Sequence, residues 1–159
     1  MPQGLITPNN SILYAGQPEI QEMEVETETQ FCPGKLVIVD TADYQCQVAG
    51  VDASDVLGVA DVPSDQKLSL YFTPSAGGAV TKTFTAGDQI RVLRGDIVVK
   101  VILLSGETIT VGERLAAAAN GMVKAITADG PAEDVVGYAL DTPADMADKC
   151  CWILMKMTI

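Results

Sequence analysis

Two stretches of this chain are nearly copies of each other, and no other feature constrains its fold as strongly. Asp55-Val56-Leu57-Gly58-Val59-Ala60 returns as Asp134-Val135-Val136-Gly137-Tyr138-Ala139. Each copy runs on into a proline and an acid, Pro63 and Asp65 in the first, Pro143 and Asp145 in the second. Upstream lie Gly34-Lys35-Leu36 and Gly112-Glu113-Arg114-Leu115. With a one-residue gap the passages align over about thirty positions at a separation of about eighty. A unit used twice in so short a chain predicts two similar β-modules sharing one core.

The 159 residues suit one domain and are enough to build a hydrophobic core. With 48% apolar residues the chain should be globular. No stretch reaches the ~20 apolar residues that span a bilayer. Met1-Pro2-Gln3-Gly4 offers no basic segment and no apolar run after it. The expectation is a chain without a secretory signal, made in the cytosol and used or assembled there.

Ten basic residues against twenty-one acidic ones leave a net charge of −11. Residues 1–34 hold five glutamates and no lysine or arginine. A surface of this sign repels phosphates, so nucleic acid and anionic membrane are poor partners. A solvated exterior, or docking to a basic protein patch, fits better.

Local patterning is that of short strands and turns. Pro2, Gly4, Pro8, Asn9-Asn10, Gly16 and Pro18 punctuate an N-terminal arm too densely for a helix, with Leu5, Ile6, Ile12, Leu13 and Tyr14 as its apolar groups. Over 19–31 a period of two puts Glu22, Glu24, Glu26 and Glu28 on one face and Met23, Val25, Thr27 and Thr29 on the other, a half-buried strand. The glutamates are a solvated face rather than a metal-binding comb, because alternate residues sit about 7 Å apart along a strand. Strands are predicted at Leu36–Val39, Gln45–Val48, Val56–Ala60, Leu68–Phe72, Thr81–Phe84 and Thr108–Val111. Gln89–Leu93 and Ile97–Leu103 flank Arg94-Gly95-Asp96, which predicts a hairpin. Leu115–Ala119 invites a helix, but Asn120-Gly121 follows at once and signals a hairpin with Met122–Ile126. A short helix is expected around Pro143–Lys149, and a long apolar strand from Cys150 to Met157 closes the chain. About ten strands at regular spacing predict an all-β fold, a small barrel or sandwich of short strands. The arm and its acidic strand take residues 1–30, and the barrel takes 31–159.

Residues for chemistry are missing. With no histidine there is no Ser-His-Asp or Cys-His machinery. The acids sit mostly in turns, where short polar side chains satisfy local backbone. Neither a Walker loop nor a strand-linked Gly-x-Gly-x-x-Gly is present, so no cofactor site is expected. Cys32, Cys46, Cys150 and Cys151 lack ligand spacing for a metal and read as buried small hydrophobes, with a Cys32–Cys46 disulfide left open. Arg94-Gly95-Asp96 spells an adhesion tripeptide, but its glycine also sits where a tight turn needs one. The expectation is a protein that is not an enzyme.

The order of features resembles the capsid decoration (cement) proteins of tailed bacteriophages and related viruses. A Pro-Gly turn leads into an apolar strand and a Val-Leu-Gly-Val-Ala element. The run from Gly87 to Val99 follows, then a Thr-Val-Gly-Glu-x-Leu turn, a Val-Val-Gly-Tyr-Ala element and a terminal apolar strand. The resemblance covers residues 31–159. It implies a tulip-type β-barrel, trimeric, on the outer capsid surface of the virion, with an arm reaching onto the major capsid protein. Leu5, Ile6, Ile12, Leu13 and Tyr14 would be the capsid-contacting residues. Residues 64–86 depart from the family pattern as an insertion, and the four cysteines are not a family hallmark. The competing readings are another virion subunit, such as a tail tube or spike, and a small-ligand-binding β-module.

Overall fold

Two five-stranded barrels of one topology account for the repeat. The computed structural model describes residues 12–26, 30–40, 44–71, 80–104, 106–126, 134–141 and 151–159. Its strands are β1 (Leu13–Ala15), β2 (Glu19–Val25), β3 (Leu36–Val39), β4 (Gln45–Val48), β5 (Val56–Asp61), β6 (Gln89–Arg94), β7 (Val98–Leu103), β8 (Arg114–Ala117), β9 (Val123–Ala125), β10 (Gly137–Ala139) and β11 (Cys151–Met157). The first barrel closes in the order β2-β4-β3-β5-β6. The second runs β7-β11-β10-β8-β9 and closes through β7–β9. In each, the opening strand pairs antiparallel with the last strand and parallel with the second strand of the hairpin. An all-β chain of two similar small modules is what the repeat predicted.

The copies agree to individual hydrogen bonds. Gly34 N–H donates to Ala60 O at 2.9 Å, and Gly112 N–H to Ala139 O at 2.8 Å. The return bonds, Ala60 N–H to Lys35 O and Ala139 N–H to Glu113 O, are both 2.9 Å. Gly34 and Gly112 share a left-handed backbone, with φ of +90° and +92°, that a side chain rarely tolerates. The likeness therefore reaches beyond the aligned stretch. Glu19–Val25, grouped by sequence with the arm, is a stave of the first barrel and the counterpart of β7.

The acidic strand alternates as expected, with Met23 and Val25 buried and Glu22 exposed. The Asn-Gly hairpin also forms: Asn120 and Gly121 have φ of +56° and +70°, and Ala118 N–H donates to Met122 O at 2.7 Å. The expected helix at Pro143–Lys149 lies outside the described residues.

Four local expectations are corrected. Arg94-Gly95-Asp96 is not a hairpin turn but the crossover from β6 of one barrel to β7 of the other. In a closed barrel β6 is already flanked by β2 and β5, so no edge remains for β7. Gly95, at φ +106°, donates its N–H to Ile159 O at 2.8 Å. Leu68–Leu70 is a 3-10 turn rather than a strand. Leu68 and Tyr71, three residues apart, are both buried while Leu70 is exposed, and that spacing suits a three-residue turn. Thr81–Phe84 and Thr108–Val111 run outside the strand ladders. Phe84 is instead held in an aromatic cluster, its ring 5.2 Å from Phe31 and 5.1 Å from Tyr71, and its N–H donates to Phe31 O.

Cys32 and Cys46 are both buried and are not joined to each other in a disulfide. Burial, helped by nearby Asp40, pushes the Cys46 thiol up to about 11. The thiolate is the reactive form, so Cys46 should resist alkylation in the native state at pH 8 and react fully once the chain is unfolded. Residue-resolved mass spectrometry would read this. Equal labelling in both states would contradict a buried Cys46.

Asp61 is buried at the end of β5 and faces Arg91 across the β5–β6 pair at 2.9 Å. Its other oxygen accepts the Val62 N–H at 2.8 Å. Burial pushes the carboxyl above the ordinary carboxylate range, while Val62 N–H and Arg91 pull it back. Arg91→Met removes that opposing charge and drives the Asp61 pKa further above its unfolded value. A carboxyl so raised favours the folded state below its unfolded pKa, and this support is lost as pH rises through the folded pKa. The substitution should therefore cost about 2 kcal/mol at pH 7, a figure reduced for the partial exposure of Arg91, and much less at pH 4. Urea midpoints at the two pH values would decide it. An equal penalty at both would remove Asp61 from the explanation.

Candidate interaction surface

The barrels meet through side chains that alternation points outward. Leu36, Val59 and Leu93 form one lateral row on the first barrel. They lie on the opposite face from Ala60 and Val92, which fill the barrel interior, yet they are buried. The second barrel approaches on this side. Gly121 sits so close to Leu36 that an added Cβ would lie 2.6 Å from the Leu36 carbonyl oxygen, and a Cβ on Gly34 would lie 2.4 Å from the Trp152 ring. Gly121 N–H donates to Ala49 O at 2.8 Å, Asp52 N–H to Ala117 O at 3.0 Å, and Lys124 pairs with Asp52 at 2.7 Å. On the second barrel the corresponding outward row is Met122, Ile102 and Trp152. Ile102 and Trp152 are both buried.

Each of these rows has a counterpart at a free end of the molecule. The partners of Leu36, Val59 and Leu93 in the second barrel are Arg114, Tyr138 and Lys156, by matching registers. Arg114 is exposed, Lys156 half-buried, and Tyr138 is 39% exposed. A shallow cavity of about 420 Å3 opens here, lined by Tyr138, Lys156, Asp96, Thr158 and Ile159 among others. Lys156 pairs with Asp96 on the crossover. The partners of Met122, Ile102 and Trp152 in the first barrel are Gln45, Glu24 and Gln89. Both glutamines donate to the Glu24 carboxylate, at 3.4 and 3.5 Å. The rows that are apolar where the barrels meet are thus polar where the molecule ends, as in the capping units of repeat proteins.

The five arm residues singled out by sequence divide. Ile12 is fully buried, and its Cδ1 would stand 3.5 Å from a Cβ on Gly34, beside Trp152. Its carbonyl accepts the Lys100 N–H at 2.8 Å. Leu13 is half-buried in β1, which pairs antiparallel with β7. Tyr14 is 63% exposed. Leu5 and Ile6 lie outside the described residues. Ile12 is therefore committed to its own body, and of the three described members of the five, only Tyr14 is exposed.

Sequence reasoning did not single out Arg114, Tyr138 and Lys156. One signal was present in the repeat itself. The copies Leu57-Gly58-Val59-Ala60 and Val136-Gly137-Tyr138-Ala139 change character only where valine becomes tyrosine, the position that is buried in one barrel and open in the other. Among the described residues no three acidic, cysteine or histidine side chains converge as metal ligands. The surface offers an aromatic, two cations and a carboxylate around a shallow floor. Of these, Tyr138 and Arg114 are of the residue types enriched at protein contacts.

No family model and no curated protein matches the chain. Among solved structures it is similar to the head fiber gp8.5 N base of bacteriophage phi29, at 16% identity and TM-score 0.52, over 88% of this chain and 95% of that one. It is also similar to a chain from the capsid of Myoviridae phage XM1, at 11% identity and TM-score 0.58, over 99% of this chain and 92% of that one. At these identities the likeness is one of fold, and it runs through nearly the whole length.

Proposed function

We propose that this chain is a structural virion protein without enzymatic activity, a decoration protein that seats on the outer surface of the assembled capsid as a homotrimer and stabilises the shell. The observation that carries this reading is the fold likeness, over most of the chain, to a phage head fiber base and to a phage capsid chain. The charge of −11 agrees with a protein kept off packaged nucleic acid and off membranes, and the major capsid protein is its expected partner. Two rigid barrels suit a clamp that binds only the assembled lattice and so stabilises it by mass action. The outward Tyr14, with the arm residues that precede it, supplies the capsid contact.

Co-sedimentation with capsid shells tests this. Because Ile12 is a core residue, the informative truncation removes residues 1–11 and leaves β1 in place. The truncated protein and Tyr14→Ala should both sediment with shells at least tenfold less while keeping the wild-type melting temperature. Undiminished binding by both would remove the arm from the account, and no binding by the intact chain would remove the capsid.

A further inference from the structure

The contact between the two barrels is heterologous: an outward row of the first meets a different outward row of the second. An interface of that kind leaves one copy of each row unused, here Arg114–Tyr138–Lys156 on the second barrel and Gln45–Glu24–Gln89 on the first. The unused rows are complementary. Arg114 and Lys156 bracket Tyr138, whereas Glu24 stands between two glutamines that already turn their amides toward it. Glu22 and Glu26 extend the negative charge along the same strand face. Asp96, the present partner of Lys156, is 89% exposed, and exchanging a surface ion pair of that sort for another costs little.

We propose that the Arg114–Tyr138–Lys156 face of the second barrel docks the Gln45–Glu24–Gln89 face of the first barrel in a second copy of this chain. The docking repeats between molecules the stacking that joins the barrels within one. Contacts of this head-to-tail kind close into a ring when the rotation per copy permits, so this inference names the faces of the proposed trimer and rests on that reading for the number of copies. Tyr138 supplies the apolar centre, filling the position that Val59 fills inside the chain, and the charges set partner and register.

Mass by light scattering on wild type and three variants tests the pairing. Wild type should form a species of about three times the 16.7 kDa chain mass, dissociating as salt is raised. Arg114→Glu/Lys156→Glu and Glu24→Lys should each weaken association about a hundredfold, because like charges then face each other. The variant carrying all three changes should associate again, its charges reversed on both faces. Circular dichroism confirms that each variant is folded. A trimer unaffected by Arg114→Glu/Lys156→Glu overturns the assignment of faces and leaves the trimer standing. Failure of the folded triple variant to recover overturns it too. A wild type that is monomeric at every concentration overturns self-association altogether, while the co-sedimentation assay still reports on capsid binding.

Discussion

Gly58→Ala and Gly137→Ala are each expected to cost about 3 kcal/mol and to lower the melting temperature by roughly 6–12 °C. The two glycines hold the same place in the two barrels. A Cβ on Gly58 would lie 2.3 Å from the carbonyl oxygen of Leu93, and one on Gly137 2.5 Å from that of Lys156. Leu93 and Lys156 are themselves equivalent, since Val59 pairs with Leu93 and Tyr138 with Lys156. In both cases the obstacle is backbone, not the end of a flexible side chain. Relief would require β5 to separate from β6, or β10 from β11, in barrels closed by only five staves. Thermal melts of the two single variants should give losses of similar size. A loss below about 0.5 kcal/mol at either site, the scale of an ordinary surface change, would mean that the barrels are not built to the same close approach.

Trp152→Ala should be the most damaging single change, at about 3–5 kcal/mol. Trp152 is 2% exposed and points away from the interior of its own barrel, against Gly34 of the other. Its removal opens a cavity at the junction, and Ile12 alone on the other side is too small to fill it. The contact also predicts a coupling. Gly34→Ala in the wild type drives a methyl into the indole ring, whereas in the Trp152→Ala background only the strain of a positive φ remains, about 1 kcal/mol. The double variant should therefore be more stable than the sum of the single losses implies, by more than 1 kcal/mol in a double-mutant cycle read by urea. Additive losses would show that the two residues do not meet.

The parts of this fold that sequence revealed are those in which one strand's neighbours are set by local pattern. The copied glycines Gly34/Gly112 and Gly58/Gly137 and the turn at Asn120-Gly121 fix backbone shapes that side chains cannot, so β3–β5 and β8–β10 could be read directly. The pairing of β2 with β6 and of β7 with β11 is just as symmetric, but its outward residues differ. Glu24·Gln89 corresponds to Ile102·Trp152, and Glu22·Arg91 to Lys100·Leu154. One set borders solvent and the other faces the first barrel or is otherwise covered, so the chemistry diverged where the geometry did not. Arg94-Gly95-Asp96 misled for a related reason. Gly95 announces a reversal of backbone, but which edge the next strand finds is decided by barrel closure, a tertiary property. The face formed by Arg114, Tyr138 and Lys156 was legible only as one valine-to-tyrosine exchange, because a surface row has no local period of its own.

Cryo-electron microscopy of virions whose genome encodes this chain tests the functional reading most directly. Density for a pair of stacked five-stranded barrels should stand outside the shell, in threes, where neighbouring capsomers meet. Particles whose outer surface lacks that density, while the chain stays behind as a free monomer, would contradict it.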